Sequence, residues 1–245
     1  MDQPPTSATW LWGEVAVGFA LVQAALWTEG AARSVLTFAA ATAIAVAVSL
    51  ERPSLPDVGL ARAGLGRSAW VVAATAGLAG ILLLAGWLAG SSRYPFQSPF
   101  LVHFAAYVPW SLAQQFAAQS FFYRRLEALL GSRKAVGVAA LLFSAAHLPN
   151  PVLAPATLAA GLLFSELFRR YRNLYPLAVA HALLAIAIAV AVPDHLHRHM
   201  HVGIGYLHYR PVGVARSSIS PDLEQAKADT LPLREIPRWP GANRC

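Results

Sequence analysis

Residues 70–88 read WVVAATAGLAGILLLAGWL, a run without a single charged side chain. A helix that crosses the apolar core of a bilayer needs about 20 residues of this kind. Similar runs recur along the chain, at Trp10–Trp27, Val35–Leu50, Phe100–Leu130, Ala135–Leu148, Val152–Phe168 and Leu174–Val192. The runs are continuous and rich in Ala and Leu, whereas a spanning β-strand would alternate in polarity. The sequence therefore predicts an all-α, polytopic transmembrane bundle of about seven helices.

The composition agrees with a membrane protein, because 56% of the chain is hydrophobic and only 13% is charged. The formal net charge of +7 raises the question of nucleic-acid binding, which the distribution of the charges answers. The odd-numbered loops hold only Arg33 and Arg93. The second, fourth and sixth loops hold the main basic clusters, which are Arg52, Arg62 and Arg67; Arg124, Arg125, Arg133 and Lys134; and Arg169, Arg170 and Arg172. The positive-inside rule then predicts that the even loops and the N-terminus are cytoplasmic. We expect a multi-pass protein of a bacterial inner (plasma) membrane with no nucleic-acid partner.

The pattern divides the chain into three regions. Residues 1–98 carry the N-terminal transmembrane helices, and residues 99–208 carry a polar core of later helices and a His-rich segment. From 209 to 245 the chain contains Pro, Ser and charged residues without an apolar period, which indicates a loosely ordered tail. Cys245 is the only cysteine, which excludes an internal disulfide and a cysteine-based metal site.

The densest polar group inside an apolar run is Gln114-Gln115-Phe-Ala-Ala-Gln119-Ser120-Phe-Phe-Tyr123-Arg124-Arg125. Such groups carry information, because a charged residue at the centre of a spanning helix costs about 2.5–3.5 kcal/mol. Gln115 and Gln119 are four residues apart, as are Ser120 and Arg124, so one helix turns each pair toward its neighbours. Two interpretations remain open here, namely amide contacts between helices with arginines at the interface, or a functional site.

Two histidines and one acid stand out in the later runs. His147 closes an apolar segment before a Pro-containing turn, where it can cap a helix end. His181 is flanked by apolar residues on both sides and needs a polar partner. Two histidines on adjacent helices supply part of a tetrahedral zinc site. Glu166 is expected to pair with Arg170 four residues later.

The order of these motifs resembles the CAAX-protease and bacteriocin-processing family of intramembrane metalloproteases over roughly Trp110–Val192. Its members show a glutamate pair and an arginine, then Phe-x-x-x-His, then His-x-x-x-Asn or His-x-x-x-Asp, on successive helices. The counterparts are Gln119-Ser120-Phe-Phe-Tyr123-Arg124, Phe143-Ser-Ala-Ala-His147 and His181-Ala-Leu-Leu-Ala185. The resemblance implies a metal-dependent intramembrane endopeptidase that acts on a membrane-embedded or lipidated substrate. Its zinc would lie at His147 and His181, with Gln119, Ser120 and Arg124 at catalytic positions.

Three positions depart from the family, because Gln119, Ser120 and Ala185 replace its two acids and its last Asn or Asp. A glutamine can hydrogen-bond to a water but cannot take its proton near neutral pH, so the general base is missing. One explanation is that Glu166 turns inward and supplies the missing carboxylate. Another has the scaffold modify a lipid or isoprenoid. The third is a non-catalytic relative that binds a membrane partner.

Five of the eight histidines lie just after Pro193, in a segment that begins Asp194-His195-Leu-His197-Arg-His199-Met-His201. On a helix His195 and His199 would share one face and His197 and His201 another, whereas a strand would align all four. Together with Asp194 they are candidate ligands of a second metal ion. The alternative is an interfacial segment whose apolar residues rest on lipid while the imidazoles face headgroups.

Overall fold

The computed structural model describes residues 7–62, 64–93 and 99–210, and within these ranges the regular structure is entirely helical. Each predicted apolar run falls on one or more helices, which confirms the predicted all-α bundle. The helices are α1 (Ala8–Leu26), α2 (Gly30–Leu50), α3 (Leu65–Ser68), α4 (Trp70–Leu88), α5 (Phe100–Gln115), a π-helical segment (Phe116–Tyr123), α6 (Arg124–Leu130), α7 (Ser132–Ala145), α8 (Leu153–Tyr171), α9 (Tyr175–Ala191), α10 (Asp194–His197) and α11 (Ile204–Leu207). The described residues up to Tyr209 form one compact unit. The predicted tail, after Arg210, lies outside the described residues.

Three helical stretches in the described chain are long and apolar enough to cross a membrane: Ala8–Leu26, Gly30–Leu50 and Leu65–Leu88. Their outer faces expose large apolar side chains, including Phe38 with 77% and Trp87 with 69% of its surface accessible. Contiguous apolar exposure of this kind marks a surface that faces lipid. The chain is an integral membrane protein.

The fourth apolar run is not one regular helix, because residues Phe116–Tyr123 form π-helical turns between α5 and α6. Six consecutive residues of this segment, from Ala118 to Tyr123, are buried. Neighbouring helices therefore surround it on all sides, and its aromatic residues pack into the main core with Phe164, Phe168 and Leu177. Short π-helical segments occur frequently at functional sites.

Small residues bring the later helices into close contact. A β-carbon added to Gly86 of α4 would lie 2.8 Å from the backbone of Ala191 in α9. Likewise, a β-carbon on Gly161 of α8 would lie 3.0 Å from the Cα atom of Ala140 in α7. Such close approach of small residues is how membrane helices gain packing energy without a hydrophobic driving force.

Charged residues meet at one end of the bundle, which we call the arginine end. Arg125, only 2% exposed, donates from Nε to Glu14 at 2.7 Å and forms an ion pair with Glu51. Arg124 contacts the same Glu51 at 3.2 Å. The guanidinium of Arg125 also lies 4.0 Å from the ring centre of Phe121. These contacts connect α1 and the end of α2 to α6 and, through Phe121, to the π-helical segment.

The opposite end is covered by residues 192–208, which we call the cap segment. The Nδ2 atom of Asn150 donates to the carbonyls of His197 and His201 at 2.8 and 2.9 Å. Its Oδ1 atom accepts from the backbone N–H groups of Val152, which precedes α8, and of Leu153, the first residue of α8. One asparagine thus joins the cap segment to the start of α8.

Candidate active site

A large cavity, with a volume of about 1260 Å³, lies between the N-terminal helices and the later helices. It is larger than the ~300–1,000 Å³ typical of small-molecule pockets. Most of its wall is apolar. Among the described residues that line it there is no Asp or Glu, and the strongly polar or ionisable ones are Arg33, Thr37, Tyr107, Gln114, His147, Thr157 and His181.

A chain of amide hydrogen bonds, which we call the amide relay, reaches one wall of this cavity. Gln119 Nε2 donates to Gln115 Oε1 at 3.3 Å, and Gln115 Nε2 lies 3.3 Å from His181 Nδ1. All three side chains are buried. The spacing of four residues, which predicted that Gln115 and Gln119 share a helix face, holds across the start of the π-helical segment.

Hydrogen bonds determine which ring nitrogen carries the proton in His147 and in His181. His147 Nδ1 lies 2.7 Å from the carbonyl oxygen of Phe143, which can only accept, so this nitrogen carries the proton. In the neutral ring, His147 Nε2 then keeps a lone pair. In the amide relay Gln115 Oε1 accepts from Gln119, so Gln115 Nε2 donates to His181 Nδ1 and the proton of His181 resides on Nε2.

Phe143 packs against both histidines. Its ring centre is 4.9 Å from that of His147 and 5.8 Å from that of His181, both in edge-on arrangements. Phe164 also packs against His181, with ring centres 6.1 Å apart. These aromatic contacts restrict both imidazoles on the cavity wall.

One polar atom of the amide relay has no protein partner. Gln119 Oε1 is buried and accepts no hydrogen bond from the described residues. Buried acceptors are nearly always satisfied, so an orphan of this kind indicates a position for a water or a ligand donor.

Ser120 and Arg124, the other two residues of the first motif, have partners away from the amide relay. Ser120 Oγ donates to the carbonyl of Val58 at 2.7 Å and so holds the loop after α2. Arg124 contacts Glu51 at the arginine end and lies 3.5 Å from the backbone oxygen of Ser120. Neither residue lines the cavity. Their catalytic roles stay predictions.

Glu166 makes the ion pair that its spacing predicts and adds a second. Its carboxylate accepts from Arg170 Nε at 2.5 Å and from Nε and Nη2 of Arg169, both at 2.7 Å. Glu166 does not line the cavity. Turning it inward to serve the histidines would require both pairs to break.

The His-rich segment is neither a continuous helix nor a strand. After the single turn of α10, Arg198, His199 and Met200 all have positive φ angles, so the chain bends sharply. His197 is buried, with Nε2 3.0 Å from the carbonyl of Val192 and Nδ1 accepting from the N–H of Met200. Asp194 contacts Arg93 at 2.6 Å. His195, another predicted metal ligand, is exposed on α10. The Nδ1 atom of the predicted ligand His201 lies 2.7 Å from the carbonyl oxygen of Arg198.

The described residues contain no group of three or more His, Cys, Asp or Glu arranged to hold a metal ion. A catalytic zinc site uses three protein ligands, whereas the cavity wall offers the imidazoles of His147 and His181 and no carboxylate. The described side chains at this cavity therefore do not by themselves supply the three ligands of a catalytic zinc site.

The family model described as Type II CAAX prenyl endopeptidase Rce1-like matches residues 96–187. This segment, which is less than half of the chain, is similar to the CAAX-protease family. It includes the three motif counterparts, the amide relay and both histidines, so the predicted resemblance is confirmed, and with it a CAAX-protease-like function in general. Members of this family are proteases, and the match therefore supports an enzyme of the protease type. No curated protein and no solved structure matches this chain.

Sequence reasoning did not assign a site role to two residues that the structure brings forward. Gln115 is the link between Gln119 and His181, and the signal for it was its spacing from Gln119 together with the need of His181 for a partner. Arg33 looked like a loop charge ahead of an apolar run, but it belongs to the second turn of α2 and lines the cavity.

Proposed function

We propose that this protein is a CAAX-protease-like intramembrane hydrolase that cleaves a membrane-embedded or lipidated peptide held beside its two histidines. One observation carries the proposal: hydrogen bonds to the two rings leave a lone pair on His147 Nε2 and an N–H on His181 Nε2. An acceptor and a donor on one cavity wall are what general-base hydrolysis of an amide requires.

In the proposed reaction, His147 Nε2 takes a proton from a water molecule, whose oxygen forms a bond to the scissile carbonyl carbon. The N–H of His181 donates to the developing oxyanion. When the carbon–nitrogen bond breaks, the proton on His147 passes to the leaving amine. Gln119 does not line the cavity and acts through the amide relay, in which it holds Gln115 and, through it, the ring of His181.

The proposal is tested in liposomes with a quenched fluorescent peptide that carries a prenylated cysteine followed by three residues. We expect His147→Gln and His181→Leu each to lower the cleavage rate at least about 100-fold, the lower range for general acid–base groups. Gln114→Leu is the matched control, since Gln114 lines the cavity outside the amide relay. Variants of His147 and His181 that cleave at the wild-type rate would refute the proposed roles.

Zinc at His147 and His181, or at Asp194, His195, His197, His199 and His201, is a separate proposal, and no step above passes through it. Metal analysis of the purified protein tests it. About one zinc per chain that is lost in His147→Ala and His181→Ala supports the first site. Zinc that disappears only when the four cap histidines are replaced supports the second. Protein free of zinc contradicts both.

The second candidate is a non-proteolytic family member that binds a membrane partner or modifies a lipid or isoprenoid. The absence of a carboxylate from the described cavity wall favours it. Wild-type protein that leaves the prenylated peptide intact, with or without added zinc, would point to this function.

A further inference from the structure

Arg33 places a positive charge on the wall of an apolar cavity. It begins a row on α2 in which Arg33, Thr37, Ala41 and Ala45, four residues apart, all line the same space. The hydroxyl of Thr37 donates to the backbone oxygen of Arg33 at 2.8 Å, so it offers no proton to a ligand. The guanidinium is therefore the main polar group at this end of the cavity.

The guanidinium lies close to the cap segment. A β-carbon built on Gly205 would be 3.5 Å from Arg33 Nη1 and 3.2 Å from His201 Cδ2. The glycine thus lets the cap segment approach the guanidinium closely, with no side chain of its own in the way. Met200 and Val202 of the cap segment line the same cavity as Arg33.

Among the described residues, no acid forms an ion pair with Arg33. Glu29, four residues before Arg33, contacts His208 Nδ1 at 2.7 Å. Asp194, the acid of the cap segment, contacts Arg93 and accepts from Tyr209 at 2.6 Å. A cation beside apolar surface needs a counter-charge, and the guanidinium fork suits phosphate oxygens.

The Arg33 end suits hydrocarbon better than a second peptide chain. At this end Arg33 and Thr37 are the polar side chains that α2 places on the cavity wall, and the imidazoles proposed to bind the substrate belong to other parts of the chain. A peptide here would therefore lack partners for its own amides. An acyl chain needs none. Charge complementarity then selects a single negative headgroup for the single positive side chain.

We propose that the Arg33 end of this cavity binds one anionic phospholipid, with its phosphate on the guanidinium and its acyl chains along α2. This inference goes beyond the proposed hydrolysis and does not rest on it, because it concerns lipid retention rather than turnover.

The test is native mass spectrometry of the purified full chain, titrated in turn with dioleoyl phosphatidylglycerol and dioleoyl phosphatidylcholine. We expect one phosphatidylglycerol per chain to bind at least about tenfold more tightly than phosphatidylcholine, a difference of about 1.4 kcal/mol. Arg33→Gln should abolish the preference and Arg33→Lys should keep part of it. Arg67→Gln, which removes the same charge from an exposed helix end, should leave the preference intact.

A second variant tests where in the cavity the lipid binds. Ala41→Trp fills the cavity next to Arg33 and should weaken the binding of both lipids at least about tenfold. Circular dichroism checks that each variant remains folded. Inorganic phosphate at millimolar concentration should not displace the lipid, since it cannot fill the apolar space.

The proposal is wrong if wild-type protein has no lipid preference, or if Arg67→Gln abolishes that preference as completely as Arg33→Gln. Retention of phosphatidylglycerol by folded Ala41→Trp at full strength would place the lipid elsewhere and also overturn it. Displacement by phosphate alone would identify a simple anion site instead.

Discussion

The arginine end and the cavity differ in how completely their polar side chains are paired with other side chains. At the arginine end, Arg125 contacts two carboxylates, and Glu127 receives Arg172 at 2.5 Å. In the amide relay Gln119 Oε1 has no donor among the described residues, and the described cavity wall that holds His147 and Arg33 contains no acid. The charges at the arginine end satisfy one another, whereas the cavity keeps its polar atoms available.

This difference separates structural from chemical roles. A buried ion pair destabilises the fold strongly when one partner is removed, because the other charge is left desolvated. An unsatisfied acceptor already costs stability, and it persists where a ligand or a reaction uses it. Substitutions at the arginine end should therefore lower stability, and substitutions at the cavity should lower binding or turnover.

The largest effect is expected for Arg125→Ala. Removing a guanidinium that is 2% exposed leaves Glu14 and Glu51 without their shared partner, which should lower the free energy of unfolding by about 3–5 kcal/mol. Thermal unfolding in detergent measures the loss. Arg67→Ala serves as the control, since Arg67 is exposed at the end of α3 and should change stability by less than about 0.5 kcal/mol. Equal melting temperatures for the two variants would show that the arginine end does not fasten α1 and α2.

Gln119→Leu should instead lower the cleavage rate and change stability little. It removes the unsatisfied Oε1 atom but also takes the donor away from the buried Gln115 Oε1. These two effects offset each other, so stability should stay within about 1 kcal/mol of wild type. Cleavage of the prenylated peptide should fall about tenfold, the cost of one lost hydrogen bond of about 1.5 kcal/mol. Peptidase rates and melting temperatures from the same preparation provide the comparison. A variant that melts much earlier yet cleaves normally would place Gln119 with the structural residues.

Glu166→Gln should change little. The carboxylate is partly exposed and its partner Arg170 is mostly exposed, and pairs of this kind contribute about 0–1 kcal/mol. The cleavage rate should remain at the wild-type value. A collapse of activity with the fold intact would instead identify Glu166 as the missing catalytic carboxylate, and would require it to leave both arginines.

The helices followed from the sequence because continuous apolar runs of about 20 residues have one stable form in a bilayer. The contact between Gln115 and Gln119 followed from their spacing of four residues. The ion pair between Glu166 and Arg170 followed in the same way. These predictions succeeded because each depends on the period of a single helix.

Other features depend on contacts between distant segments, which no local pattern encodes. The proton on His147 Nδ1 is set by a backbone carbonyl, and the one on His181 by an amide 66 residues away in sequence. The positive φ angles of Arg198, His199 and Met200, which are rare outside glycine, gave no signal in a run of alternating histidines. The position of Arg33 close to the cap segment likewise depends on where α11 packs.

The smallest effect concerns Asp57, in the loop that Ser120 holds near the arginine end. Hydrogen bonds from the Ser54 hydroxyl, at 2.6 Å, and from its N–H lower the pKa of the Asp57 carboxyl, with a smaller contribution from the charges of Arg124 and Arg172. A lowered folded-state pKa stabilises the protein above the unfolded-state pKa of about 3.9, and this stabilisation disappears as the pH falls through the folded value.

Ser54→Ala should therefore raise the pKa of Asp57 and lower the melting temperature slightly at pH 7, with the difference from wild type vanishing in acid below the folded pKa. Melting curves across this pH range test the sign. Because the hydroxyl is the main cause, 0.5 M salt should leave the difference at pH 7 nearly unchanged. A difference that salt abolishes would assign the stabilisation to Arg124 and Arg172, and would extend the ion-pair network of the arginine end into this loop.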